Sequence, residues 1–297
     1  REIDALIHET GATAVYWNRL YEPAIVKRDQ VLKADLESRG IDAQSFNAAL
    51  LREPWTIATK GGTPFRVFTP FWNALTARLD QVPPPAPCPV SLTPVASKLA
   101  SQELSELALL PANDWTAGMS RAWQPTEAAA LAGIERLVEV TVGRYPQSRD
   151  LPGQEGTSRL SPYLHFGQIS PRQILHALRA AQRKAGAPTA AATDIYLRQI
   201  GWREFAHHLL FHFPQTTDEP YQPVFARLPA RPDPTALRRW QRGQTGIPIV
   251  DAGMRELWRT GWMHNRVRMI VASFLTKNLG LSWREGARWF WDTLVDA

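Results

Sequence analysis

The 297-residue chain has a single cysteine, Cys88, and only four methionines. One thiol can form neither an intramolecular disulfide nor a thiolate cluster for zinc, and it fits a reducing compartment best. No stretch approaches 18 uninterrupted apolar residues, so no membrane-spanning helix is expected. Both common nucleotide-phosphate loops are missing: no G-x-G-x-x-G follows a strand signal, and no G-x-x-x-x-G-K-S/T occurs. Without a nucleophile elbow, a Ser-His-Asp arrangement has no support. His208 and His212 have the spacing of a metal pair on a helix, but neither a neighbouring acid nor a third ligand accompanies them, so no metal is expected. The chain opens on Arg1 with no basic-then-apolar leader, so no signal peptide is expected and the expected location is cytoplasmic.

What the chain does have is an ordinary globular balance, 44% hydrophobic and 21% charged residues. Its formal charge is +6, with a pI near 9.7, which favours an anionic partner. The charge is uneven: residues 231–297 hold eleven Arg/Lys against six Asp/Glu, together with six of the chain's twelve tryptophans. Aromatic rings among arginines offer stacking platforms beside phosphate neutralisers, as nucleic-acid binders do. A Trp-rich helical core with a solvated basic face has the same composition.

Two characters follow one another along the chain. Glu2–His8 reads as the end of a helix, Ala12–Trp17 as a strand, and Ile25–Arg39 as a helix stopped by Gly40. This alternation is that of a parallel sheet with crossover helices, with too few strands to complete it. Residues 82–89, VPPPAPCP, form a stiff connector, and the polar, Pro-rich stretch to about Gln124 reads as a surface linker. Helices follow: Glu127–Val142, Pro171–Ala181 with Ser170 as N-cap, Asp194–Phe213, Asp251–Thr260, Arg266–Asn278 and Ser282–Leu294. The expected organisation is therefore residues 1–81 as an incomplete α/β domain, 82–125 as a linker and 126–297 as an all-helical domain.

Three segments gather functional residue types. On Asp194–Phe213, the residues Gln199, Trp202, Arg203 and Ala206 share a stripe able to stack on a planar ligand and hydrogen-bond its edge. A packing Trp beside an Arg203–Glu204 surface ion pair is the plainer reading. On the helix after Trp262, the residues Val267, Ile270, Val271, Phe274 and Leu275 face a core, while Asn265, Arg268, Met269 and Ala272 lie opposite. Met there suits a flat apolar ligand and Asn a heterocycle edge; a partly buried helix contact would look the same. The third, Glu155–Pro162, offers hydroxyls and an arginine ahead of a helix start, either a phosphate cradle or a capping turn.

In this order the segments closely resemble the DNA photolyase/cryptochrome family, and most of all a bacterial class I cyclobutane pyrimidine dimer photolyase. The resemblance rests on Tyr16-Trp17-Asn18-Arg19 with Tyr21-Glu22-Pro23, Glu155–Ser161, Trp202-Arg203-Glu204-Phe205 and residues 245–251, TGIPIVD. Gly261-Trp262-Met263-His264-Asn265-Arg266 and Ser282-Trp283-Arg284-Glu285-Gly286 complete it. It implies an α/β antenna domain followed by a helical FAD domain, each incomplete here. It also implies light-driven, FAD-dependent splitting of cyclobutane pyrimidine dimers in DNA by a monomeric enzyme that associates with the nucleoid.

By the same resemblance, Tyr145, Thr157, Ser158, Arg159, Leu160 and Ser161 contact FAD. Tyr196, Arg203, Asn265, Arg268 and Asp296 line the flavin, with Arg268 and Asp296 as an ion pair. Gln199, Trp202, Asn265 and Met269 form the lesion pocket, Trp202 stacking on the dimer, and Arg266 is a phosphate clamp. Trp283 matches the middle tryptophan of the photoreduction relay; Ala230 stands where the outermost would be, and the innermost would lie past Ala297. Gln199 replaces the glutamate usual in cyclobutane-dimer photolyases, as in the six-four branch, whereas the Asn265 pattern departs from that branch. Ala24 and Ile25 replace the Asn-Glu pair of folate-binding photolyases, so a folate antenna is not expected and the second chromophore is open. A cryptochrome-like photoreceptor without repair, or a six-four photolyase, is the alternative.

Overall fold

The computed structural model describes residues 2–93, 99, 101–183, 189–227 and 231–297. The chain forms two compact units, Arg1–Asn113 with Gly201–Pro214, and Asp114–Ile200 with Gln215–Ala297. Among the described residues, no helix is long and apolar enough to cross a membrane.

The first unit is α/β. Helix α1 (Glu2–Thr10) leads into β1 (Ala14–Asn18), α2 (Pro23–Ser38) and β2 (Asp42–Phe46). The strands pair in parallel, from Ala14 opposite Asp42 to Asn18 opposite Phe46. Such pairing requires a crossover, and α2 supplies it. Pro23 sits in the first turn of α2, and Gly40, with φ +77°, turns the chain back towards β2. Helix α3 (Phe68–Thr76) follows and buries Phe68, Phe71 and Leu75. Leu36, Ala43, Leu50 and Ile57 are buried in the same unit.

The second unit is helical. Helix α4 (Ala117–Ala122) lies inside the stretch read from sequence as linker. A Cβ at Gly118 would sit 2.1 Å from the Arg259 carbonyl oxygen, so this short helix approaches its neighbour backbone to backbone. Helix α5 (Glu127–Arg136) starts at Thr126, whose hydroxyl accepts the Ala129 N–H. It runs through a π turn (Leu137–Thr141) into α6 (Val142–Ser148). The short α7 (Ser161–His165) precedes α8 (Pro171–Gln182), where Ser170 and Gln173 form a capping box. Helix α9 (Ala190–His212) contributes its residues up to Ile200 here and the rest to the first unit.

Helices α10 (Pro234–Gln241), α11 (Pro248–Thr260), α12 (Asn265–Ser273) and α13 (Trp283–Thr293) complete the unit, with a second π turn (Phe274–Asn278) after α12. Their core holds Trp240, Met254, Leu257, Val267, Val271 and Leu275, and the buried Trp240 indole donates to the Val271 carbonyl at 3.0 Å. The apolar stripe on α12 is narrower than the sequence implies: Ile270 is 41% exposed. Burial there follows the four-residue spacing of 267, 271 and 275 alone.

Candidate functional site

The segment 155–161 is shaped by its contacts in the helical unit. A Cβ at Gly156 would lie 2.4 Å from the Ser148 carbonyl oxygen, so only glycine lets the loop close onto the end of α6. Arg159 adopts the left-handed region at φ +53°, unusual for a side chain of its size, and Leu160 returns to φ −86°, ψ −5°. A left-handed residue followed by a right-handed one turns successive backbone N–H groups towards one side, a concavity that receives anions. Leu160 is buried, with Cδ2 seated over Gly133 of α5, where a Cβ would come within 2.7 Å. The Arg159 guanidinium lies between two indoles, 4.9 Å from the Trp123 ring and 4.7 Å from that of Trp262. A cleft of about 440 Å³ opens here, lined among others by Arg136, Thr157, Ser158, Arg159, Leu160 and Tyr163.

From this cleft a chain of contacts leads to α9. Ser158 Oγ and the Tyr196 hydroxyl are 2.8 Å apart. The Tyr196 and Tyr145 rings meet edge to face at 5.1 Å, and the Arg149 guanidinium stands 5.4 Å over the Tyr145 ring. Arg149 donates to Gln199 Oε1 at 3.4 Å, while the Gln199 amide donates to the Ile195 carbonyl. Burial raises both phenols above their ordinary pKa, so both remain protonated and able to donate. The structure thus brings Tyr145, Ser158, Tyr196 and Gln199 together. Arg149, which joins them, was missed from sequence; its signal is the one-turn spacing from Tyr145.

The start of α12 holds the third group. His264 Nδ1 accepts the Arg266 N–H at 3.1 Å, and burial lowers the imidazole pKa, keeping the neutral ring that this cap needs. Asn265 and Met269 are exposed, one turn apart. Arg266 Nε lies 2.8 Å from Asp150. Arg268 donates Nε–H to the Met263 carbonyl and pairs with Asp296 at 2.9 Å. The Asp296 side chain is 3% exposed, and its Oδ1 is buried with no partner among the described residues.

Trp202 and Arg203 belong to the α/β unit. Trp202 stacks on Phe68, and Arg203 donates to the Ala49 carbonyl. The adjacent Glu204 is no surface ion-pair partner. It is buried, and its carboxylate accepts the Leu51 N–H at 3.0 Å and that of Arg52 at 3.2 Å, which ties down the loop after β2. Trp283 is partly exposed at the first turn of α13, with the Arg284 guanidinium 5.9 Å from its ring. Ala24 and Ile25 lie on the first turn of α2. Ala230 lies outside the described residues. No three His, Cys, Asp or Glu among the described residues are placed to hold a metal ion.

Two family models match the chain: DNA photolyase over residues 1–90, and the FAD binding domain of DNA photolyase over residues 196–297. The chain is 45% identical over 295 residues to a deoxyribodipyrimidine photo-lyase of Agrobacterium fabrum, covering 98% of this chain and 60% of that protein. It is 39% identical over 302 residues to Cryptochrome-2 of Arabidopsis thaliana, covering 98% of this chain and 49% of that one. Among solved structures, a bacterial class III photolyase from Agrobacterium tumefaciens superposes with a TM-score of 0.95 at 44% identity, over 100% of this chain and 61% of that one. Fold, motifs and relatives agree: the chain belongs to the DNA photolyase/cryptochrome family, with its α/β and helical FAD-binding domains. It spans about 60% of the length of that photo-lyase.

Proposed function

We propose that this chain belongs to a light-driven, FAD-dependent enzyme that splits cyclobutane pyrimidine dimers in DNA. The observation that carries the reading is the exposed pair Asn265 and Met269 on α12, beside Arg266. Here an amide, a soft apolar contact and a cation stand together at a surface, a set that suits the two joined bases of a lesion and its phosphate. The 45% identity to a protein named deoxyribodipyrimidine photo-lyase and the superposition on one named a class III photolyase point the same way.

The residues present fit FAD. The backbone of Arg159, Leu160 and Ser161, with the hydroxyls of Thr157 and Ser158, suits a pyrophosphate. The buried, unpartnered Asp296 Oδ1 offers an acceptor to a donor on the flavin ring, with Arg268 holding the other oxygen. When bound, reduced FAD excited by near-ultraviolet or blue light supplies the electron that opens the dimer. The protein's own part is to orient and to exclude water. In the helical unit Tyr145 and Tyr196 are buried and protonated beside Ser158. By resemblance Trp202 is assigned to stacking on a base, and stacking of this kind contributes roughly 1–3 kcal/mol per base. Arg203 and Trp283 are assigned to the flavin surroundings and to electron supply by resemblance.

Gln199 favours a second reading, a photoreceptor of the cryptochrome kind. Its amide already accepts from Arg149 and donates to Ile195, and it lacks the charge usual at a repairing site. The deciding experiment mixes the reduced full-length protein with DNA bearing cyclobutane thymine dimers and measures their loss under blue light. Light-dependent loss is expected. Intact dimers with FAD bound would transfer the case to the receptor.

A further inference from the structure

Arg159 combines two unusual features, a left-handed backbone and a side chain turned into the protein. Its guanidinium is sandwiched by Trp123 and Trp262, and its Nε is buried with no partner among the described residues. The sandwich is itself fixed. The Trp123 Nε1–H donates to the Thr260 carbonyl at 2.7 Å, and its ring meets Tyr163 edge to face; Trp262 is 9% exposed and meets His264 edge to face. A guanidinium held within 5 Å of two indole rings, themselves fixed by their own contacts, is a good anchor for the backbone that carries it.

We propose that Trp123 and Trp262 are positioning residues that clamp the Arg159 side chain and thereby hold its backbone left-handed, aiming the N–H groups of residues 159–161 at a dinucleotide pyrophosphate. This rests on the FAD reading above and assigns the arginine a different part, anchor rather than ligand. For an ordinary L-residue the left-handed backbone is disfavoured by an amount equivalent to roughly a five- to thirtyfold population shift, and the two cation–π contacts offset it.

The test uses the full-length protein stripped of flavin. Affinities for FAD and for riboflavin, which lacks the pyrophosphate, are measured by flavin fluorescence, with thermal melting of each apoprotein. Arg159→Ala and Trp123→Leu should weaken FAD roughly five- to thirtyfold and leave riboflavin unchanged. Trp123→Phe, which keeps a ring but loses the bond to the Thr260 carbonyl, should fall between wild type and Trp123→Leu. Arg159→Gly, free to adopt the left-handed backbone without an anchor, should recover most of the FAD affinity, and adding Trp123→Leu to it should cost nothing further. If Arg159→Gly binds FAD as poorly as Arg159→Ala, the guanidinium is the ligand and the inference falls. It falls equally if Trp123→Leu binds FAD like wild type, or loses riboflavin and FAD alike. A wild-type protein that binds no FAD overturns the cofactor reading and this inference with it, an outcome seen before any variant is made.

Discussion

The indole of Trp202 lies flat on the ring of Phe68, with centroids 3.6 Å apart and planes 7° from parallel. Phe205 meets the same indole edge to face at 6.1 Å. One face of Trp202 is therefore committed to the α/β unit, yet the residue is 47% exposed, which leaves the opposite face for a base. Phe68→Leu removes the support without touching that face. Binding of dimer-containing DNA should weaken about three- to tenfold, as expected for an aromatic pair, with undamaged DNA bound as before. Equal weakening on both DNAs, in a gel-shift or anisotropy titration, would contradict the assignment of Trp202.

Two buried titratable groups of the α/β unit set opposing pH dependences. Burial pushes Glu204 up to about 7 from its usual 4.5, while burial, with help from His212, holds His208 down at about 4 from 6.5. A raised acid contributes stability that is present below 4.5 and is lost as the pH rises through 7. A depressed base contributes stability present above 6.5 and lost as the pH falls through 4. Between pH 4.5 and 6.5 the two slopes cancel. Glu204→Gln should leave stability rising across that window by on the order of 2–3 kcal/mol. His208→Gln, whose amide oxygen can accept the Phe65 N–H in place of Nε2, should leave it falling by a similar amount. Urea denaturation at several pH values reads both, and variants that track the wild type would refute the scheme.

Asp150 restrains a cation that is otherwise exposed. It takes Arg266 Nε at 2.8 Å and Arg149 Nε at 3.3 Å, and these arginines hold its carboxyl below the ordinary range. Asp150→Ala frees Arg266 for phosphate. DNA binding should tighten, and the slope of log K against log salt should steepen by about 0.9 for one added phosphate contact. An unchanged slope between about 50 and 200 mM salt would remove Arg266 from the DNA-contacting set.

The Arg268–Asp296 pair should respond asymmetrically. Arg268→Ala strands a carboxylate in a site that is 3% exposed and should cost about 3 kcal/mol or more. Asp296→Asn keeps an acceptor for the guanidinium and should cost about 1 kcal/mol. Thermal and urea unfolding separate the two, and equal losses would mean that burial of the charge is not the controlling factor.

Much of this was legible in the chain because the signals are local. Ser170, read as the N-cap of α8, caps it, and the structure adds Gln173 to complete a capping box. Strand β2, DAQSF, escaped because its residues are mostly polar and its ladder partner lies 28 residues earlier, at Ala14 for Asp42. Helix α3 escaped because Pro70 reads as a breaker, although it stands in the first turn, where its missing N–H has no intrahelical bond to lose. The hydroxyl-rich loop, the Tyr pair and the Arg268–Asp296 pair could be named from motifs. Arg149 carried only the weak signal of its one-turn spacing from Tyr145, and Trp123 carried none, since it matters through partners remote in sequence and no short pattern brings 123, 159 and 262 together.

The two π turns, Leu137–Thr141 and Phe274–Asn278, make the helical unit unevenly tolerant of length changes. A π turn accommodates one residue more than an α turn over nearly the same rise, so each is a place where the chain holds a spare residue. Removing one there, at the half-exposed Val140 for example, lets the backbone relax to ordinary α-helix while the flanking faces keep their bearings. The same deletion in α8 or α11 has no slack to absorb it and rotates every later side chain by about 100°. Length variation among related chains is therefore expected to collect at these two turns, which makes them natural points for aligning distant relatives and for inserting reporter residues.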